Sequence, residues 1–329
     1  MASDRKEKYR KDPEQEHLLQ KINTALEPIE RQLIAEFEAP RRSTLFIVGA
    51  PRSATTLVHQ LLAQTKRFGY ISNYLARFWL APYLGALQET ALGIKEHSDI
   101  SFESEYGRTK GWAEPHTFHY FWQRWFSFDQ DHQMNQETIN NIDKGHFTSE
   151  IAALESVFKK PMIFRSLYCG MQIEFLSRTL EHAKFVICVR DPLYQAQSIL
   201  LGRKAIFGTY DAWFSLKPSQ YSDLVKLSPF KQVAGQIYHI LRTIGQGLKL
   251  LPASNYVIID QEDLTRDPKG ALDSILCLAN LDELSEKEAP QGVFENRNKV
   301  KLDDGEWRNL KLAIEESFND KSSSDILLS

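Results

Sequence analysis

Apolar residues recur at spacings of three and four through residues 14–38, at Leu18, Leu19, Ile22, Leu26, Ile29, Leu33, Ile34 and Phe37. This is the period of an amphipathic helix, with a break expected near Pro28. Residues 45–48, Leu-Phe-Ile-Val, replace that period with a short run of β-prone side chains, and Leu57, Leu61 and Leu62 then return to helical spacing. The unit reads as strand, tight turn, helix. A short strand at 70–71 and a mostly helical stretch over 74–92 follow. Helical spacing returns at 149–158, and an alternation of elements begins after Pro161: strand 162–164, helix 171–180, strand 184–189. Asp191 and Pro192 supply an N-cap and a first-turn proline for a helix to about residue 201. Residues 205–228 are loop-rich and carry Tyr210, Trp213, Phe214 and Tyr221. A long helix over 230–251, a strand at 256–259 and a helix over 269–279 complete the pattern. Strands alternating with helices predict an α/β, three-layer fold whose central parallel sheet is flanked by helices.

At 329 residues the chain is long enough for one large α/β domain with insertions, the reading favoured over two smaller domains. The expected organisation is a helical extension over 1–42 and an α/β domain over 43–329, with an aromatic-rich insertion near 102–148. Between 102 and 128 stand Phe102, Tyr106, Trp112, Phe118, Tyr120, Phe121, Trp122, Trp125, Phe126 and Phe128. So many rings either wall a pocket or fill a core. Residues 135–141 are polar and expected to be exposed. The helix over 14–38 either packs on the body of the protein or joins a second copy as a homo-oligomer.

Hydrophobic residues make up 42% of the chain and charged residues 25%, ordinary for a soluble globular protein, and a net charge of −3 gives no electrostatic case for a nucleic-acid partner. Cys169, Cys188 and Cys277 are widely spaced, which suggests buried thiols rather than disulfides or a metal site. The charged N-terminus has no apolar signal segment, and the most apolar run, 74–87, is interrupted by Arg77 and Pro82. No integral membrane segment is expected, and the location expected is cytoplasmic.

The turn after the first strand is Gly49-Ala-Pro-Arg-Ser-Ala-Thr-Thr56. A helix N-terminus there offers unpaired N–H groups and the positive end of the helix dipole, and Arg52, Ser53, Thr55 and Thr56 add a cation and three hydroxyls. The combination suits an anion. Against the nucleotide pattern G-x-x-x-x-G-K-[ST], Gly49 and Thr56 fall in place, but Ala54 replaces the second glycine and Thr55 the lysine. That lysine serves a triphosphate with its metal, so a loop without it suits a different phosphate.

Pro51-Arg52-Ser53-Ala54-Thr55-Thr56 resembles the 5′-phosphosulfate loop of the sulfotransferases, which bind 3′-phosphoadenosine-5′-phosphosulfate (PAPS); Ala54 departs from the usual glycine. A second block, KFVICVRDPLYQAQSILLGR, is similar to the 3′-phosphate motif of the same family, with Arg190 ending a strand and Ser198 two helical turns beyond the cap. The resemblance implies a P-loop-like fold, PAPS as donor and PAP as product. A third stretch, NYVIIDQEDLTRDPKGAL, resembles the family's strand and D-P helix, where Asp263 and Asp267 read as turn and cap residues. Residues 292–302, GVFENRNKVKL, lie where relatives place a basic loop over the cofactor. Arg297 and Lys299 are the candidates there.

Sulfuryl transfer needs cations and N–H donors at the leaving phosphate, which Arg52 and the backbone of 53–56 would supply. It also needs a general base for the acceptor. The candidates are Glu114, His116 and His119, all in WAEPHTFHYFW, with Glu114 ranked first because several family members resemble E-x-x-F-F there. Aromatic residues suit small-molecule, glycan and lipid acceptors alike. Two other functions remain open: a P-loop small-molecule kinase, whose nearest magnesium-binding aspartate would be Asp260, and a non-catalytic nucleotide-binding protein.

Overall fold

The computed structural model describes residues 5–290 and 294–329. In chain order its elements are helix α1 (Pro13–Ile34), strand β1 (Thr44–Gly49), α2 (Thr55–Gln64), β2 (Gly69–Tyr70), α3 (Pro82–Ala91), the hairpin β3 (Ser104–Glu105) and β4 (Arg108–Thr109), and α4 (His119–Trp125). Then come α5 (Gln136–Asn141), α6 (Lys144–Phe158), β5 (Met162–Arg165), α7 (Leu167–Gly170), α8 (Ile173–Thr179), β6 (Ala183–Val189) and α9 (Pro192–Phe207). The chain ends with α10 (Tyr221–Leu224), α11 (Pro229–Leu248), β7 (Tyr256–Asp260), α12 (Gln261–Arg266), α13 (Pro268–Leu278), α14 (Asp304–Phe318) and α15 (Ser323–Leu328).

Five strands form one sheet in the order β2-β5-β1-β6-β7, with every pairing parallel. Each residue of β1 and β5 is buried, as expected where helices cover both faces of a sheet. Alternate side chains feed two cores. Leu45, Ile47, Ile163, Val186 and Cys188 meet α2 and α13, whereas Phe46, Val48, Phe164, Phe185 and Ile187 face α4, α6, α9 and α11. On the second face Phe46 stacks between Phe164 and Phe185 of the neighbouring strands, with centroids 5.9 and 5.6 Å away. Trp122 of α4 closes this ladder edge-on against Phe46 and Phe164.

The aromatic stretch therefore divides. Phe118, Phe121, Trp122, Trp125 and Phe126 are buried in the core, while Trp112 is exposed and Tyr106 sits near the carboxyl edge of the sheet. Residues 136–141 form a short helix with no buried residue.

Helix α1 runs unbroken through Pro28, against the expected break. Two buried polar residues on either side of the proline tie it to the body. Asn23 donates to the Arg77 carbonyl and accepts from the Leu80 N–H, and Glu30 accepts from the N–H groups of Tyr83 and Leu84. Glu30 thus caps the first turn of α3 from another element, which compensates for the lost hydrogen bond at Pro28. Leu18, Ile22, Ile29 and Leu33 remain exposed on the outer side of α1. Self-association through the N-terminal helices would rest on this stripe. Among the described residues, no helix is long and apolar enough to cross a membrane.

The indole N–H of Trp122 is buried without a partner. Trp122→Phe should therefore cost less than about 1.5 kcal/mol, whereas Trp122→Ala, which empties the ladder, should cost about 3–5 kcal/mol in urea unfolding.

Candidate functional site

The sheet order reverses at β1, and the crevice beyond the carboxyl ends of β1, β5 and β6 is where an open α/β sheet binds its ligand. Each of these strands delivers an arginine. Arg52 lies in the turn after β1, Arg165 ends β5, and Arg190 follows β6 directly.

The turn is tightly built. Gly49 pairs with Cys188, and a Cβ on Gly49 would lie 2.4 Å from the Cys188 carbonyl oxygen and 2.6 Å from the Ser53 hydroxyl. Arg52 and Ala54 both take left-handed backbone, at φ 71° and 70°. Ala54 adopts the conformation a glycine would prefer, so the substitution stores strain without preventing the turn. Ser53 is buried and its hydroxyl has no partner. Gln195 of α9 donates to the Pro51 carbonyl at 2.8 Å and pins the turn from behind.

Arg52 donates from Nε to the Ser198 hydroxyl at 3.0 Å, joining the two motif blocks, and its guanidinium lies 5.5 Å from the Tyr106 ring centroid. Arg165 donates to the Thr56 hydroxyl at 2.9 Å and to the Gly107 carbonyl at 3.1 Å. Arg190 donates to Asn298 at 2.8 Å and to the carbonyls of Arg52 and Arg297. None of the three forms an ion pair with a carboxylate among the described residues; their partners are neutral. Burial, then the neighbouring Arg190 charge, lowers the Arg52 pKa to about 10, and burial with the Arg52 charge does the same for Arg165. Burial also lowers that of Arg190. All three stay charged at neutral pH, and their mutual repulsion is a strong demand for an anion.

Arg165 is missing from the residues chosen by sequence. Its signal was present, because Met-Ile-Phe-Arg is an apolar strand ending in arginine, the same form as Val-Ile-Cys-Val-Arg190. Arg297 and Lys299 have exposed side chains, but their segment is fastened over α9: Gln197 donates to the Lys299 carbonyl and accepts from the N–H groups of Lys301 and Leu302. Gly292 and Val293, which open that stretch, lie outside the described residues. A cleft of about 410 Å³ lined by Arg190, Leu193, Glu262, Phe318 and Ser323 opens beside it.

Of the base candidates, Glu114 is tied to the second turn of α2 through Gln60. Glu114 is buried and accepts from the Gln60 side chain at 3.0 Å and from the Ser101 N–H. His116 accepts at Nδ1 from the Phe118 N–H, and burial, with the charge of His119 next, pushes its pKa to about 3. Burial and Lys11 bring His119 to about 4, and its ring packs on Tyr120. His59, one turn beyond Thr56 on α2, is buried with both ring nitrogens unpartnered. It too is absent from the sequence reading.

A parallel sheet with a tight strand-to-helix turn at its switch point defines a P-loop-like α/β protein, here one whose turn is lined by arginine rather than lysine. The model of the sulfotransferase family, Sulfotransfer_3, matches residues 44–286, and the chain belongs to that family. Among curated proteins it is similar to the omega-hydroxy-beta-dihydromenaquinone-9 sulfotransferases Stf3 of Mycobacterium bovis and Mycobacterium tuberculosis, each 24% identical over 243 residues, 69% of this chain and 60% of the relative. The chain thus spans about 60% of the length of these relatives. Among solved structures, sulfotransferase STF9 from Mycobacterium avium superposes with a TM-score of 0.53 at 13% identity, covering 92% of this chain and 82% of that one. STF1 from Mycobacterium tuberculosis gives 0.51 at 13% identity, covering 92% and 79%. These likenesses show the shared fold.

Ala54→Gly should relieve the left-handed strain and raise stability by about 1 kcal/mol, read as an increase in Tm. An unchanged or lower Tm would mean that the turn carries no such strain.

Proposed function

We propose that the protein is a sulfotransferase that moves a sulfuryl group from PAPS to the hydroxyl, or an amine, of a small-molecule, glycan or lipid acceptor, releasing PAP. The observation that carries this reading is the set of three inward arginines without an acidic partner at the carboxyl edge of the sheet. Their number and spread suit a ligand with phosphates at two ends. PAPS, when bound, supplies the activated sulfuryl group and a phosphate leaving group.

Arg52 and the N–H groups of Ser53, Ala54, Thr55 and Thr56 would hold the 5′-phosphosulfate, with Pro51 shaping the turn and Arg165 as a second cation. Arg190 and Ser198 would hold the 3′-phosphate, with Arg297 and Lys299 available from the fastened segment above. Such fixed donors favour the charge that develops on the leaving oxygen without reorganising during the reaction. The acceptor proton is assigned to Glu114, whose carboxylate is tied to the cradle helix through Gln60. His116 is less suited, because a neutral ring accepting at Nδ1 carries its proton on Nε2 and acts there as a donor. His119 is the next candidate. The name of the Mycobacterium relatives gives a hydroxylated dihydromenaquinone as their acceptor, which supports a hydroxyl-bearing, lipid-like acceptor here.

The kinase alternative is disfavoured by two contacts. Asp260 caps α12 by accepting from the Glu262 N–H, and β7 lies at the far edge of the sheet rather than beside β1. Thr56, at the magnesium-holding position, is engaged by Arg165, a neighbour that repels a divalent cation.

Calorimetry should find PAP bound more tightly than ATP with magnesium, and Arg190→Ala should weaken PAP by about 10- to 100-fold. The reverse order of affinities would overturn the reading. Glu114→Gln should lower kcat by about 10²- to 10⁴-fold while PAP affinity stays within about twofold. Full activity in that variant would move the base to His116 or His119.

A further inference from the structure

Arg203 lies on α9, five residues past Ser198, and is fully buried. Its Nη1 donates to the Tyr210 carbonyl at 3.1 Å and to the Gln232 side-chain oxygen at 2.7 Å. Its Nε and Nη2 have no partner at all. These two nitrogens form one edge of the guanidinium, and their parallel N–H bonds match two oxygens of a carboxylate, phosphate or sulfate. The occupied corner is neutral by construction. Gln232 donates through Nε2 to the Leu227 carbonyl at 2.9 Å, which turns its oxygen toward Arg203, where a glutamate would have cancelled the charge.

The nearest acidic influence is Asp211, an exposed residue whose carboxylate accepts from the Thr209 hydroxyl instead. Burial lowers the Arg203 pKa to about 10, so the group remains a cation at neutral pH. An unpaired buried charge of this kind is costly. The Trp213 ring, with its centroid 5.2 Å from the guanidinium carbon, lies over it, and the indole N–H donates to the Leu216 carbonyl.

The position relates Arg203 to the cradle. A Cβ on the preceding residue, Gly202, would stand 3.1 Å from the Tyr106 ring and 3.5 Å from Phe214. Tyr106 in turn faces Arg52. The segment bearing Tyr210, Trp213 and Phe214 therefore adjoins the cradle through Tyr106, and Gln236 holds it there by donating to the carbonyls of Phe214 and Leu216.

We propose that the free edge of Arg203 is a second anion subsite, separate from the donor cradle, which takes a carboxylate, phosphate or sulfate group carried by the acceptor. Assigning that group to an acceptor rests on the sulfotransferase reading; the anion site itself does not. Trp213 is the intrinsic reporter, since its ring contacts the guanidinium whose charge a bound oxyanion would compensate.

The test titrates the full chain, saturated with PAP, with benzoate, phenyl phosphate and inorganic sulfate while tryptophan fluorescence is followed. A saturable change is expected with at least one of the three, absent in Trp213→Phe. Its dissociation constant should rise about 10- to 100-fold in Arg203→Met and less in Arg203→Lys, which keeps the charge but loses the fork. Response to benzoate and phenyl phosphate but not to sulfate would assign the site to an acidic group on an aromatic or lipid-like molecule; response to all three alike would assign it to free anions and overturn the acceptor assignment. No saturable change, or the same constant in a folded Arg203→Lys, overturns the site. If PAP does not bind but these anions do, the donor reading fails and the subsite stands.

Discussion

The constraint on which the structure depends is uncompensated positive charge at the carboxyl edge of a parallel sheet. Arg52, Arg165 and Arg190 converge there, and their side-chain hydrogen bonds go to hydroxyls, carbonyls and an amide. Like charges in a region of low dielectric repel strongly, so the fold must hold them by other means. It does so with the stiffness of the strands that carry them and with a turn whose geometry leaves no freedom at Gly49.

Buried glutamines do much of the remaining work. Gln195 holds the cradle turn, Gln197 fastens the segment around Lys299, Gln232 orients Arg203, and Gln236 holds the loop before α10. Each donates its amide N–H to a backbone carbonyl, which a carboxylate could not do, and a carboxylate would also neutralise the nearby arginines. The amides hold these carbonyls without changing the field. The arginine-lined edge of the sheet is therefore supported by neutral ties.

The opposite end of the molecule follows another logic. The Phe46, Phe164 and Phe185 ladder with Trp122 gives the sheet a rigid, apolar back, and α1 is clamped to that body by Asn23 and Glu30 together with Leu19 and Ile34 of its apolar face. The aromatic stretch that could have been either a pocket wall or a core is mainly core, with Tyr106 left to face the arginines. Burial of the large rings fixes α4 against the sheet, and this in turn positions the loop that bears Glu114 and His116.

Much of this was legible in the sequence because it depends on neighbours in the chain. The strands at β1, β5, β6 and β7, the cradle turn, and the caps Asp191 and Asp267 are all set by local period, steric preference and short-range hydrogen bonds. The break expected at Pro28 did not occur, since contacts from α3 outweigh one missing N–H. Arg165 and His59 went unchosen for a related reason: alone, each is only a polar residue ending or interrupting an apolar run. The parallel crossover brings Arg165 to Thr56 across 109 positions, and only that meeting sets it beside the cradle turn. Arg203 is the same case, because a buried cation is recognised by the partner it lacks. Local sequence determined which elements form and where the cradle turns; the tertiary structure alone decided which charges face one another, because electrostatic cost depends on distance and burial rather than on order along the chain.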